Sequence, residues 1–351
     1  MARTAGNRPS TRPSMSEVAR LAGVSPGTVS HVLNHPGRVT PATRERVERA
    51  MAEIGYRPNR IASSLAAGRS RVLGLVLTDL GNSLFVDIAR GAGAAAAAAG
   101  MNVILADGDN HVGRELEHLE MFSELRVAGA LITLSDDEHM AAITQAAPRE
   151  TPLVLVNFTA PTDRYCSVAV DNVLGARLAT EHLLSTGRRR LAFVGGPDEL
   201  RPIHDRRAGF RAVLAAAGLE PVLEVDPPAV NRSDGFEAAG ALLAAIRAGR
   251  IDGVVAATDL LAAGLIQGLA EADVDVPGTV AVTGYDDNQA AWDGPVPLTT
   301  IAQPGEQMGR LATELTVEEA RAPERAVAGE AEHEHRAVVL EPRLVVRASA
   351  P

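Results

Sequence analysis

The stretch that decides the fold is SMSEVARLAGVSPGTVSHVLN, Ser14 to Asn34. Ser14 can cap a helix, and Glu17 stands three residues on, the spacing of a capping box. Met15, Val18, Ala19 and Ala22 then share one helical face. Gly23 supplies a left-handed stop. Ser25 caps a second helix with Pro26 at its first position. There Val29, Val32 and Leu33 face inward and leave Thr28, Ser30 and His31 outside. Two short helices across a tight glycine turn make a helix-turn-helix. A third helix is capped by Thr40, opened by Pro41, carried by Arg44, Val47, Ala50, Met51 and Ile54, and stopped by Gly55. Together they form a minimal all-α domain over 14–58.

Outward from this head, the charge is uneven. The chain has 351 residues, enough for two or three domains, with 46% hydrophobic and 22% charged side chains, as in an ordinary globular protein. Its net charge of −10 divides into +8 for residues 1–71 (12 Arg, 4 Glu) and −18 for the rest. A basic head on an acidic body predicts that only the head meets a polyanion. All 34 cationic side chains are arginine, which excludes Schiff-base chemistry and a lysine-dependent phosphate loop. The one cysteine, Cys166, excludes a disulfide framework and a cysteine-ligated zinc finger or iron–sulfur site. It fits a reducing compartment. Residues 1–13 hold Arg3, Arg8 and Arg12 with no apolar run after them, and so read as a disordered arm, not an export signal. No stretch is long and apolar enough to span a bilayer. A cytoplasmic protein with no membrane partner is expected.

The segments Ser14–Ala19, Ala22–Ser25, Thr28–Asn34, Thr43–Val47 and Gly55–Asn59 resemble, without gaps, the DNA-binding head of the LacI family of transcriptional regulators. The resemblance implies that the second helix enters the major groove of double-stranded operator DNA. Pro26, Gly27 and His31 then occupy the base-reading positions. Pro26 and Gly27 offer no side-chain donor, whereas His31 can donate to guanine N7 or O6. Ser25, Thr28, Ser30 and Asn34 complete that surface. Thr28 and Ser30 suit phosphate contacts, although Thr28 can instead make a local bond to the helix backbone. Residues 59–70 resemble the family's hinge helix. Leu65 matches a leucine wedged into the minor groove, a known bending device, and Asn59 and Ala62 match neighbouring contacts. The alternative is a plain linker.

From Arg71 onward short apolar strands alternate with helices. Strands are expected at Val72–Leu77, Val103–Leu105, Ala130–Leu134, Leu153–Val156, Ser167–Val170, Leu191–Val194, Val222–Val225, Gly253–Ala256 and Val280–Val282. This predicts an α/β body of parallel sheets flanked by helices. Its size, about 280 residues, calls for two lobes. Gly91-Ala92-Gly93-Ala94-Ala95-Ala96 fits the dinucleotide fingerprint, but lies well past the strand end where that fingerprint belongs. Close helix packing is the better reading.

Residues 71–351 resemble the family's two-lobed, periplasmic-binding-protein-like effector and dimerisation domain. The matching pieces include Asp79–Phe85, Val170–Asn172, Gly195–Pro197, Arg206–Phe210, Thr258-Asp259, Gly284–Asp287, Pro297–Thr300 and Gln303-Pro304. By resemblance Arg206 and Asp286 are the firmest pocket residues. An arginine donating paired bonds and an aspartate accepting from two hydroxyls suit a sugar-like effector. Asp79, Asn82 and Phe85 follow the first strand, with Phe85 as an apolar wall. Thr258 stands where many sugar-binding members carry asparagine, a departure from their geometry. Trp292 can stack on a sugar face or serve as a core or interface residue.

No nucleophile elbow or HExxH pair occurs, and no cofactor is implied. His333-Glu334-His335 lies in an acidic, alanine-rich stretch, and these histidines are expected to be solvated, with no metal. Cys166 begins a strand and is expected to be buried packing. The reading is a ligand-responsive repressor that binds a palindromic operator as a homodimer. The rival is a solute-binding protein or sugar-processing enzyme on the same body fold.

Overall fold

The computed structural model describes residues 13–34, 36–56, 70–148, 151–327 and 333–351. It divides into two compact units, 1–70 and 71–351. The arm expected over 1–13 lies, Pro13 apart, outside the described residues, as do the hinge positions Asn59, Ala62 and Leu65.

The first unit holds α1 (Met15–Ala22), α2 (Pro26–Asn34) and α3 (Pro41–Glu53). The capping box forms as the sequence predicts. The Glu17 amide donates to Ser14 Oγ at 3.2 Å, and the Ser14 amide to Glu17 Oε2 at 2.8 Å. That second bond holds the Glu17 carboxyl below its ordinary pKa. Gly23 ends α1 at φ 66°, where the lack of a Cβ removes the left-handed penalty. Val18, Ala19, Val29, Val32, Val47 and Ala50 are buried as one small core. Thr40 departs slightly from expectation: its hydroxyl meets Thr43 Oγ1 at 3.0 Å instead of capping a backbone amide.

The second unit is two doubly wound lobes. In the first lobe, β1 (Val72–Leu77), β2 (Asn102–Asp107), β3 (Gly129–Thr133), β4 (Leu153–Val156), β5 (Cys166–Val170) and β11 (Ala337–Leu340) lie in the order β2-β1-β3-β4-β5-β11. In the second, β6 (Leu191–Val194), β7 (Leu223–Val225), β8 (Gly253–Ala256) and β9 (Ala281–Thr283) lie in the order β7-β6-β8-β9. Every neighbouring pair in both sheets is parallel. All nine expected strands are present, with ends moved by a residue or two. Three more are new: β10 (Thr300–Ala302) and β12 (Arg343–Val345), which pair antiparallel, and β11.

Parallel sheets are covered on both faces, and the alternation along β1 follows. Leu73, Leu75 and Leu77 enter one apolar cluster and Val76 the other. The covering helices of the first lobe are α4 (Ser83–Ala98), α5 (Val112–Glu124), α6 (Asp137–Ala146) and α11 (Gly305–Val327). Those of the second are α7 (Asn172–Ser185), α8 (Arg201–Ala216), α9 (Arg232–Arg247) and α10 (Asp259–Glu271). Of the false fingerprint's two glycines, Gly91 has a packing role and Gly93 faces open space: a Cβ on Gly91 would run into the Glu306 backbone, as one on Gly309 of α11 would into that of Ile88. Helices α4 and α11 are thereby drawn together.

The chain passes between lobes three times. It leaves β5 for α7 at Asp171-Asn172, leaves β10 for α11 at Gln303-Pro304, and leaves β11 for β12 at Glu341-Pro342. Side chains at two of these crossings reach the candidate site. Among the described residues, no helix is long and apolar enough to cross a membrane.

Candidate functional site

Open α/β sheets gather function beyond the carboxyl ends of their strands, at the point where strand order reverses. Here Asn82 lies past β1, Ala257 and Thr258 past β8, and Asp286 past β9. Asn82 caps α4, accepting the Leu84 amide at 3.0 Å, and this turns its Nδ2 toward the other lobe. Nδ2 donates to Asp286 Oδ2 at 3.1 Å. Asn288 Nδ2 donates back to Asn82 Oδ1 at 3.0 Å. Gln303 Nε2 donates to Asp286 Oδ1 at 2.7 Å, from one interlobe crossing. Arg206, on α8, is 4% exposed and holds Nη1 3.6 Å from Asp286 Oδ1. Its Nε donates to Asn172 Oδ1 at 2.9 Å, at another crossing, and its Nη1 to the Ala257 carbonyl at 2.6 Å. The guanidinium also lies over the Tyr285 ring, 3.6 Å from its centroid.

The result is a buried carboxylate ringed by amides and one cation, at the hinge of two lobes. Gln303 Oε1 is buried with no hydrogen-bond partner. A buried acceptor left this way costs free energy until a donor arrives. The cluster therefore offers hydroxyl groups a carboxylate, a guanidinium and an amide oxygen together.

Asp259 backs this cluster. It accepts the Asn288 amide at 3.0 Å and faces the Thr300 hydroxyl at 2.6 Å. Burial, reinforced by the charge of Asp286, pushes its carboxyl well above the ordinary value of 3.8. An acid whose folded pKa is raised loses stability as pH climbs from its unfolded value through the raised one. Asp259→Asn keeps an acceptor for the Asn288 amide, turns the Thr300 hydroxyl from donor to acceptor, and cannot ionise. Its stability relative to wild type is expected to improve from pH 4 to pH 8, measured by urea unfolding. An unchanging difference would refute an ionisation cost at Asp259.

Of the sequence-predicted residues, Asn82, Arg206 and Asp286 are brought together directly. Thr258 is buried beside Ala257 as the cap of α10, its Oγ1 accepting the Leu261 amide at 3.2 Å. Phe85 packs into the first-lobe core. Asp79 is exposed, and its Oδ1 accepts the Gly81 amide at 2.6 Å. Trp292 is 60% exposed and sits under the Arg347 guanidinium, 3.6 Å from the ring centroid, instead of joining the cluster. Asn172, Gln303, Asn288 and Tyr285 were given no role by the sequence reading. The signal was available for all but Asn288, since the others stand in the motif pieces that follow strand ends. A separate cavity of about 400 Å³, lined by residues including Arg232, Ile266, Ala270, Val296 and Leu298, does not include this cluster.

On the head, Ser25, Pro26, Gly27 and His31 are exposed, with Thr28 and Ser30 half-buried. Ser25 Oγ accepts the Thr28 amide at 3.1 Å and meets the Thr28 hydroxyl at 3.0 Å. The Thr28 hydroxyl thus bonds locally, but to the Ser25 side chain and not to the helix backbone. One hydrogen suffices for the Ser25–Thr28 link, so the pair's second O–H remains available for a phosphate. Asn34 ends α2; its side chain lies outside the described residues.

The solvated reading of His333 is overturned. Its side chain is 6% exposed, with Nε2 3.2 Å from Cys166 Sγ, because pairing of β11 with β5 draws the preceding residues inward. His335 is half-buried beside it. Cys166 is fully buried, as expected, but among polar groups.

A helix-turn-helix unit followed by a two-lobed body with a polar cluster at its hinge defines a ligand-responsive DNA-binding regulator. Residues 14–59 match the family of bacterial regulatory proteins of the lacI type, and residues 180–350 match the periplasmic binding protein-like domain. The HTH-type transcriptional regulator CelR of Thermobifida fusca is 36% identical over 352 residues, covering 96% of this chain and 98% of its own. Among solved structures, a transcriptional regulator CelR–cellobiose complex is 33% identical at a TM-score of 0.69, covering 96% of this chain and 100% of that one. The lac repressor dimer bound to operator and the anti-inducer ONPF is 26% identical at a TM-score of 0.82, covering 97% and 99%. The chain belongs to the lacI family of bacterial regulatory proteins.

Proposed function

We propose that the chain is a cytoplasmic repressor that binds a two-fold operator as a homodimer and answers to a sugar that it does not transform. The observation that carries the sugar reading is the cluster at the interlobe crossings. Asn82 of the first lobe bonds Asp286 and Asn288 of the second, so a ligand that exchanges hydroxyls for these bonds acts on both lobes at once. Differential contact with two lobe arrangements is what couples a ligand to a distant site, typically by about 1–3 kcal/mol. Asn82, Asn288, Gln303 and Arg206 around Asp286 can each hydrogen-bond a hydroxyl, and the carboxylate itself is fixed by its donors, which suits recognition over turnover. The cellobiose in the complex with the related CelR makes cello-oligosaccharides the first ligands to test.

A gel shift with the chain's own upstream DNA, with and without cellobiose and other sugars, tests this. Retardation that changes with one sugar, which is recovered intact, is expected. A folded dimer that retards no DNA at low salt would sink the repressor reading. His31→Ala is expected to relax preference at one base position per half-site, with a loss of about 1–3 kcal/mol. Binding to a randomised operator library reads this out; an unchanged base preference removes His31 from recognition.

A further inference from the structure

Three stretches far apart in sequence meet at one end of the first-lobe sheet. Cys166 opens β5, Glu319 lies on α11 (which packs on β5), and His333 and His335 lead into β11. Parallel pairing of β11 with β5 fixes their register: the Ser167 amide donates to the Arg336 carbonyl at 3.0 Å, and the Arg336 amide to Cys166 Sγ at 3.4 Å. Each of the four side chains turns one ligand atom inward, and all four atoms lie within 4.8 Å of one another.

We propose that Cys166, Glu319, His333 and His335 form a binding site for a single tetrahedral divalent transition-metal ion of the zinc class. In a tetrahedral zinc site with bonds of about 2.0–2.3 Å, neighbouring ligand atoms stand about 3.3–3.7 Å apart. Here Cys166 Sγ is 3.2 Å from His333 Nε2 and 3.9 Å from His335 Nδ1, and His333 Nε2 is 3.9 Å from Glu319 Oε2. The widest separations, up to 4.8 Å, must contract by about 1 Å on binding the ion. One thiolate, two imidazoles and one carboxylate select zinc or cobalt over the hard, all-oxygen ions magnesium and calcium.

Two further observations point to a cation. Glu319 Oε2 is buried without a hydrogen-bond partner. His333 Nδ1 is likewise buried without a hydrogen-bond partner, with Glu318 Oε1 3.7 Å away as the acceptor it would close on once Nε2 takes a metal. Four protein ligands leave no open position, so the ion's role is structural. It ties α11 and β11 to β5, locking the last pass of the chain into the first lobe.

The test uses the full chain, stripped with a chelator, dialysed and titrated with Co²⁺. Because Cys166 is the only cysteine, any thiolate-to-cobalt charge-transfer band reports this site alone. The expected result is that band, together with intense tetrahedral visible absorption, saturating at one ion per chain and abolished by Zn²⁺. Cys166→Ser should lose the charge-transfer band. His335→Ala and Glu319→Gln, both at partly accessible positions, should each weaken Co²⁺ binding by more than about 100-fold, beyond the roughly 10–100-fold that loss of a mere supporting partner costs. Circular dichroism verifies that each variant is folded. A folded wild type that gives only the weak octahedral cobalt spectrum overturns the proposal. So does a band that survives Cys166→Ser, or an affinity unmoved in His335→Ala and Glu319→Gln; a thiol–imidazole hydrogen bond then accounts for the cluster.

Discussion

Arg206→Ala is expected to lower stability by about 3–5 kcal/mol, read as a fall in the urea midpoint with the slope unchanged. The loss has an identifiable source. Asp286 and Arg206 are both buried, and the other groups on the carboxylate, Asn82, Gln303 and Asn288, are neutral. Removing the guanidinium leaves a carboxylate with donors but no opposite charge. It also strips the Ala257 carbonyl and Asn172 Oδ1 of a donor. Adding Asp286→Asn to Arg206→Ala should recover part of the loss, since the stranded charge is then gone. The effector response should stay absent in both. A loss below about 1 kcal/mol, or no recovery in the double variant, would mean that water screens the pair as it screens surface ion pairs.

The cluster shows why some of the site was readable from sequence and some was not. Arg206 and Asp286 carry charge inside strongly patterned segments, and buried charge must have a partner. Asn172 and Gln303 are neutral, and their role exists only because the chain crosses between lobes at those residues. The crossing at Gln303 follows β10, a three-residue strand with no run of alternation to announce it. The long strands were legible for the opposite reason. Leu73, Leu75 and Val76 are buried on both faces of a parallel sheet, which demands an unbroken apolar run. β11 has that composition too, but its edge position leaves residues exposed in alternation, and the acidic stretch before it masks it. The misreading of His333 follows from the missing strand: without the Ala337–Ser167 register, nothing in the sequence places it against Cys166. Being the sole tryptophan says nothing about direction, and Arg347 offers the Trp292 ring a stacking partner at the surface.

Specific DNA binding should lose about 10³–10⁵-fold in affinity between 50 and 200 mM salt, the range for 6–10 neutralised phosphates. The charge split makes this a sharp expectation. Residues 1–71 carry +8 and the remainder −18, so a chain with a net charge of −10 still presents a cationic reader. Every cationic contact must come from arginine or a protonated histidine, because there is no lysine. Not every head arginine counts equally. Arg44 lies 3.3 Å from Glu48, but both are more than half exposed, a pairing too weak to withhold the charge from a phosphate. Arg38, exposed just beyond α2, is the position to probe. Arg38→Gln should reduce the slope of log K against log salt by about one per head, about two for the dimer, and weaken all sequences alike. Arg211, held by Glu224 at 2.8 and 2.9 Å in the body, is the control: Arg211→Gln should leave the slope unchanged. A slope shallower than about −2 in wild type would mean fewer than about three neutralised phosphates, too few for two heads reading a two-fold operator.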